Sequence, residues 1–166
     1  MTSESGAPFE GRRTIHRCTQ LIDAEPAAVF ALICPVREAE WAHGWAGRAI
    51  FARSGLAEED GVYATEHGEP EPTIWLVTRR DAVRHETEFV YFVPRMQVVR
   101  LTIGIEAAGA GRSQVSIHYV RTGISEEGNA FLAEAERTGT FEAMTRHWEA
   151  AMNHHFATGK ILERAH

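Results

Sequence analysis

Nine histidines and three tyrosines are the side chains of this sequence best suited to moving a proton. Abstracting a proton next to a carbonyl group requires a base that titrates near neutral pH, as histidine does. The candidates for such an acid-base group are His67, His85 and Glu88, with Tyr91 or Tyr119 as a hydrogen-bond donor. The alternative, which we favour, is that these polar groups only orient a bound molecule.

The sequence contains none of the short motifs that mark common enzyme classes. It has no Gly-x-Ser-x-Gly elbow, no phosphate-binding loop and no glycine fingerprint for a dinucleotide. We therefore expect the protein to bind no cofactor. Whether it catalyses a reaction is left open at this point.

Three histidines near the end of the chain, His147, His154 and His155, raise the question of a metal site. Zinc requires converging ligands, usually with a carboxylate or a cysteine among them. The segment lacks the His-Glu-x-x-His spacing, and adjacent histidines on a helix point in different directions. We expect no metal, and we interpret these residues as solvated or as stabilised by the dipole of a helix C-terminus.

Four tryptophans, Trp41, Trp45, Trp75 and Trp148, could stack on a ring-bearing ligand. Large aromatic side chains supply apolar area together with a hydrogen-bonding group, which suits a binding pocket. The alternative is that all four belong to the core or the scaffold. Both interpretations stay open from the sequence.

The elements that must position these residues are mostly strands, separated by turn residues. The strands are expected at 13–23, 48–53, 62–67, 73–80, 83–93, 96–106 and 113–123. Two short helices are expected after the first strand, one from Pro26 to before Pro35 and one over 36–41. Because the later strands are joined by short loops, they must be antiparallel neighbours.

The segment 126–158 has the composition and spacing of one long helix. Ser125 is a plausible cap, and apolar residues recur every three or four positions, including Phe141 and Trp148. Gly139 lies inside the pattern, so a kink or a split is expected there. A helix laid across a bent sheet covers both apolar faces and leaves part of the concavity as a pocket.

Strand alternation predicts which side chains face that pocket. Val99, Leu101, Ile103 and Ile105 share the buried face of one strand, and Val115, Ile117 and Tyr119 that of the next, with His118 outside. His16, Cys18, Gln20 and Ile22 share a face of the first strand, and Phe89 and Tyr91 share one with His85. The predicted ligand-binding residues are Trp41, Trp45, His67, Trp75, His85, Phe89, Tyr91, Tyr119, Phe141 and Trp148.

Composition limits the class of partner. The net charge of −6 and the scattered basic residues argue against a nucleic-acid partner. No apolar run is long enough for a transmembrane segment. We expect a disordered tail at 1–11, a single domain at 12–166, reduced thiols at Cys18 and Cys34, and a cytoplasmic location. The sequence leaves a homodimer open.

Several local motifs carry a resemblance to a known family. They are IDAEPAAVF at 22–30, CPVREAEW at 34–41 followed by Gly44 and Trp45, PTIW at 72–75 and EEGNA at 126–130. With the order of elements, they resemble the START/polyketide-cyclase-like superfamily, also called SRPBCC or birch-pollen-allergen-like. The resemblance implies an α+β helix-grip fold, in which a curved seven-stranded antiparallel sheet wraps a long C-terminal helix around a ligand cavity.

The resemblance implies no single activity, because members of the superfamily include lipid carriers, hormone receptors, cyclases, dehydratases and chaperone co-activators. Our leading hypothesis is non-catalytic binding or transport of a small hydrophobic or aromatic molecule. The alternatives are a polyketide cyclase/dehydratase-like enzyme that uses a pocket histidine, and an interaction module that works through its outer face.

Overall fold

Seven strands and three α-helices build the α+β structure, which we describe from a computed structural model covering residues 8–68 and 70–163. The strands are β1 (Arg13–Ile22), β2 (Gly47–Phe51), β3 (Val62–Thr65), β4 (Thr73–Asp81), β5 (Glu86–Val93), β6 (Gln97–Ala107) and β7 (Ser113–Gly123). The helices are α1 (Pro26–Leu32), α2 (Glu126–Thr138) and α3 (Thr140–Thr158), and Arg37–Glu40 form a 3₁₀ turn.

The strands form one antiparallel sheet in the order β1-β7-β6-β5-β4-β3-β2. Strands β2 to β7 pair with their neighbours in sequence, as their short connecting loops predict. The first strand joins the far edge by pairing with the last, from Arg13 opposite Thr122 to Ile22 opposite Ser113. The predicted number of strands and their antiparallel pairing are confirmed.

The inner face of the sheet is the apolar one that strand alternation predicts. Val99, Leu101, Ile103 and Ile105 of β6 are all buried, as are the alternate residues of β7 up to Tyr119. His118 lies on the opposite face, between the charges of Arg17 and Arg100, which together with partial burial lower its pKa. The alternation continues beyond Tyr119 and places a charged side chain, Arg121, on the buried face.

The C-terminal helical segment is split at Gly139, where the sequence predicts a kink or a split. Gly139 has φ 66° and ends α2 in the left-handed conformation, which glycine adopts without steric cost. The hydroxyl of Ser125 accepts a hydrogen bond from the Gly128 N–H and caps α2, as expected. The second half, α3, packs across the inner face of the sheet, and Ala151 and Met152 belong to the main core cluster.

Helix α3 is fixed to β1 by polar contacts at both ends of their interface. The Gln20 side chain donates to the carbonyl of Thr145 over 2.7 Å, and Asn153 Nδ2 donates to the Leu21 carbonyl over 2.9 Å. Gln20 therefore faces the helix, together with Cys18 and Ile22 on the same side of β1. The burial of these residues confirms the predicted face of the first strand. The two hydrogen bonds fix the position of α3 relative to β1.

The segment between α1 and β2 closes one end of the space between helix and sheet. Its second helix is the 3₁₀ turn Arg37–Glu40, shorter and tighter than the helix expected at 36–41. Gly47 follows it, and a Cβ on this residue would lie 1.8 Å from the Pro35 carbonyl oxygen. Only glycine allows β2 to begin so close to the preceding segment.

The predicted N-terminal tail is only partly covered by the structure, because residues 1–7 lie outside the described ones. The next residues lie against α2, where Asn129 Nδ2 donates to the Glu10 carbonyl and the Arg12 N–H donates to Asn129 Oδ1. The division into a tail and one domain stays a prediction.

Candidate functional site

A cavity of about 720 Å³ lies between the sheet, α3 and the segment around the 3₁₀ turn. Eight of the ten residues predicted to bind a ligand line it: Trp41, Trp45, His67, Trp75, Phe89, Tyr91, Tyr119 and Trp148. They come from six separate elements and connecting segments of the chain, and the fold brings them together. Their role in binding stays a prediction.

Seven of the residues that line the cavity are tryptophan, tyrosine or phenylalanine, and several of their rings contact one another. The rings of Trp75 and Tyr91 are stacked with centroids 4.0 Å apart, and Trp75 also meets Phe89 edge-on at 6.0 Å. Across the cavity, the rings of Trp41 and Trp148 are 5.6 Å apart. This arrangement gives the cavity wide apolar faces against which a flat molecule can lie.

The indole N–H groups of three of these tryptophans are already bonded within the protein. Trp41 Nε1 donates to the Leu32 carbonyl over 3.2 Å, Trp45 Nε1 to the Pro35 carbonyl over 2.7 Å, and Trp75 Nε1 to Thr65 Oγ1 over 2.8 Å. These hydrogen bonds fix the orientation of the rings. They also mean that these side chains offer the cavity ring surface rather than a hydrogen-bond donor.

Glu38, in the 3₁₀ turn, is the acidic group that the cavity buries most deeply. It lines the cavity, and the residue is only 7% exposed. Its carboxyl group makes no hydrogen bond or ion pair with any residue in the part of the chain that the structure describes. Burial without a partner raises the pKa of Glu38 to about 8, because desolvation penalises the charged form.

Two tyrosines, Tyr91 on β5 and Tyr119 on β7, line the same cavity. Burial raises the pKa of Tyr91 to about 12 and that of Tyr119 well above its ordinary value. The negative charge of Glu38 also contributes to raising both pKa values. Glu38 and the two tyrosines therefore lie close enough in the cavity wall for their charges to interact.

Arg121 lies behind the two tyrosines and is 2% exposed. Its guanidinium lies over the rings of Tyr119 and Phe141, at 3.9 and 3.7 Å from their centroids. Its positive charge also acts on the Tyr91 side chain. Desolvation lowers the pKa of Arg121, and its Nη1 is buried without a hydrogen-bond partner among the described residues.

Two of the predicted ligand-binding residues, His85 and Phe141, do not line the cavity. His85 lies in the turn before β5 with φ 53°, and its ring packs against Phe30 at 5.5 Å. Asp81 Oδ1 accepts hydrogen bonds from the N–H groups of Val83 and Arg84, so the turn is longer than the alternation pattern suggests.

Phe141 is buried outside the cavity, where α2 and α3 meet. It packs with Leu132 and Ala135 in a small second core cluster, under the guanidinium of Arg121. Glu88, a candidate base, lies outside the cavity and accepts hydrogen bonds from Thr78 and Thr102. Among the candidate bases, the cavity therefore includes His67.

The histidines of α3 are divided between two surroundings. His147 lines the cavity, whereas the ring of His155 packs edge-on against Phe156. Within residues 8–68 and 70–163, no three metal-ligating side chains come together. Over the same residues, no helix combines the length and the apolar character needed to cross a membrane.

No protein-family model matches the sequence, and no curated protein matches it either. Solved structures do match. The di-domain ARO/CYC BexL from the BE-7585A biosynthetic pathway is 17% identical with a TM-score of 0.61, over 86% of this chain and 45% of BexL. This chain therefore spans about half the length of BexL.

Two further matches cover most of both chains. Ara h 8.0201 is 11% identical with a TM-score of 0.55, over 80% of this chain and 94% of that chain. Norcoclaurine synthase from Thalictrum flavum, solved with dopamine and hydroxybenzaldehyde, is 10% identical with a TM-score of 0.53, over 82% and 84%. At these identities the matches concern the fold. This chain has the helix-grip fold that these structures share, with a sheet of seven strands around a split C-terminal helix.

Proposed function

We propose that this protein binds or carries a small hydrophobic or aromatic molecule in its internal cavity, without changing it chemically. The observation that carries the proposal is a cavity of about 720 Å³ whose wall includes four tryptophans, two tyrosines and a phenylalanine. Pockets for small ligands typically enclose about 300–1,000 Å³ and have apolar walls with few polar groups. The cavity has a volume in this range, and its aromatic side chains supply apolar faces.

Fixed walls support binding of a ring-shaped ligand in particular. The indole hydrogen bonds of Trp41, Trp45 and Trp75 hold the rings in place in the absence of a ligand. A pre-formed wall loses little side-chain entropy when a ligand binds, which favours affinity. Norcoclaurine synthase, which shares this fold, was solved in complex with dopamine and hydroxybenzaldehyde, and this supports a ligand-binding use of the fold.

Filling the cavity should abolish binding without unfolding the protein. Ala151 of α3 lines the cavity and is 1% exposed, so Ala151→Phe places a ring in the space where the ligand would lie. We expect affinity for neutral naphthalene derivatives, measured by quenching of tryptophan fluorescence, to fall by about tenfold or more.

The matched control is Ala150→Phe, at the preceding, exposed position of the same helix. It should bind the same compounds as tightly as the wild type. Thermal unfolding of both variants separates loss of binding from loss of structure. Equal affinity in the two variants would contradict a ligand site in this cavity.

A second candidate function is a cyclase/dehydratase-like enzyme that uses His67 as its acid-base group. The observation that favours it is the position of His67 in the cavity wall, with its ring 5.3 Å from that of Trp45. With a substrate in hand, His67→Phe should lower kcat by about 10²–10⁴-fold and change Kd little. His85→Phe, outside the cavity, serves as the control, and unchanged turnover in His67→Phe would eliminate this candidate.

Three parts of the interpretation stay predictions from the sequence. They are the non-catalytic character of the binding, the cytoplasmic location and the homodimer that the sequence leaves open. Native mass spectrometry of freshly purified protein addresses two points at once, because it reports both a co-purifying ligand and the number of chains.

A further inference from the structure

The cavity contains one carboxyl group that has no structural explanation. A buried carboxyl group that serves the fold normally has a hydrogen-bond or ion-pair partner. Its neighbours Arg37 and Glu40 pair with each other instead, through two hydrogen bonds of 2.7 and 2.9 Å. Glu38 is left to face the cavity without a partner among the described residues.

Glu38 is mainly an uncharged acid at neutral pH. Its pKa of about 8 leaves about nine in ten of these groups protonated at pH 7. A protonated carboxyl group has an O–H that donates a hydrogen bond. Glu38 therefore presents a donor to the cavity under ordinary conditions.

Tyr91 offers a second donor for a different reason. Arginine has five N–H donors and no acceptor, so the positive charge of Arg121 attracts the lone pairs of the Tyr91 oxygen rather than its proton. The proton of the Tyr91 hydroxyl is then free to point elsewhere, and the side chain lines the cavity. With a pKa of about 12, Tyr91 keeps this proton across the physiological range.

We propose that Glu38, as the neutral acid, and Tyr91 form a two-donor site that binds the carbonyl oxygen of an uncharged aromatic ketone. This inference rests on the proposed function and names the chemical class of its ligand. A carbonyl oxygen has two lone pairs and no proton, so it can accept from both groups at once. A carboxylic acid kept neutral by an apolar site, acting together with a tyrosine, is an established way to hold such an oxygen.

The surrounding groups favour an uncharged acceptor over a cation. An aromatic ammonium would suit an ionised Glu38 and the faces of the tryptophans. The buried positive charge of Arg121, however, lies directly behind Tyr91 and Tyr119 and opposes a second cation. The other titratable groups that line the cavity are His43, Glu66, His67, Tyr119 and His147.

The test compares 2-acetylnaphthalene with 2-isopropenylnaphthalene, in which a CH₂ group replaces the carbonyl oxygen. At pH 6.5 we expect the wild type to bind the ketone about tenfold more tightly than the hydrocarbon, by fluorescence quenching or calorimetry. At pH 9.5 Glu38 is ionised and no longer donates, so the preference should fall to about threefold or less. Measurements at both pH values need no variant.

Two variants assign the pH effect to Glu38 rather than to the histidines. Glu38→Gln keeps an N–H donor, so its preference for the ketone should persist and should not change between pH 6.5 and 9.5. In Glu38→Leu the preference for the ketone over the hydrocarbon should fall to about threefold or less at both pH values, because only Tyr91 still donates. Tyr91→Phe should lose part of the preference at both.

The outcomes separate this inference from the proposed function. If both compounds bind equally and Glu38→Leu changes nothing, the two-donor site is wrong and the cavity remains a binding site. If 2-(2-naphthyl)ethylamine binds more tightly than the ketone, and does so increasingly as the pH rises from 6.5 to 9.5, the cavity recognises a cation and the inference is wrong. If none of the compounds binds, both proposals are overturned.

Discussion

Glu38→Gln should make the protein more stable than the wild type at pH 8 and should change its stability little at pH 4.5. The pKa of Glu38 is about 8 in the folded protein, against 4.5 for an ordinary glutamate. Between these values the unfolded chain releases a proton that the folded chain retains. The wild type therefore loses stability as the pH rises, at about 1.4 kcal/mol for each pH unit.

The loss begins near pH 4.5 and ends near pH 8, above which both states are ionised. Urea unfolding of the two proteins at half-unit steps from pH 4.5 to 9 measures the difference directly. The expected difference in the free energy of unfolding at pH 8 is roughly 4–5 kcal/mol, because Glu38 is almost fully buried.

Glu40→Gln provides a matched control two residues away. Glu40 is exposed and paired with Arg37, and this pairing lowers its pKa. Its contribution to stability is therefore present above pH 4.5 and is lost only as the pH falls further. From pH 5 to 8, the stability of Glu40→Gln should therefore change with pH as that of the wild type does, with a small constant difference for the lost exposed ion pair. Parallel curves for the wild type and Glu38→Gln over that range would show that Glu38 is ionised in the folded state.

The fold was predictable because its signals are local. Short turns between strands dictate antiparallel neighbours, and alternation along β6 and β7 marks the face that is buried. A glycine in the middle of a helical pattern identified the boundary between α2 and α3. Each of these features depends on a few consecutive residues.

Glu38 was missed because it lies in a polar run that looks solvated. The 3₁₀ turn directs Glu38 inward, because side chains three residues apart in such a turn lie on the same side. Arg37 and Glu40 thus share the outer side, whereas Glu38 shares the inner side with the buried Trp41. The spacing of three residues between Glu38 and Trp41 was the sequence signal that Glu38 is buried.

His85 and Phe141 show which features of the site sequence patterns do not predict. Alternation predicts the face of a strand, but the strand begins only at Glu86, because a side chain of the preceding turn binds the backbone. Helical spacing predicts that Phe141 faces inward, but not which part of the interior it reaches. Both depend on contacts between segments that are distant in the sequence.

Arg121→Ala should destabilise the protein by about 2–5 kcal/mol, the usual cost of deleting a large buried side chain. Its guanidinium lies between the rings of Tyr119 and Phe141, so the deletion leaves a cavity where β7 meets the junction of α2 and α3. Arg100→Ala, on the exposed face of β6, should change the free energy of unfolding by less than about 0.5 kcal/mol.

Arg121→Met separates the charge of this residue from its volume. Methionine fills a similar space and removes a buried cation whose Nη1 has no partner among the described residues. Replacing a buried charge by an apolar side chain of similar size is often neutral or stabilising, so we expect this variant to recover most of the loss. Urea unfolding of the three variants decides the point. If Arg121→Met were as unstable as Arg121→Ala, this part of the fold would be stabilised by the attraction of the Arg121 cation to Tyr91 and to the rings of Tyr119 and Phe141, rather than by packing.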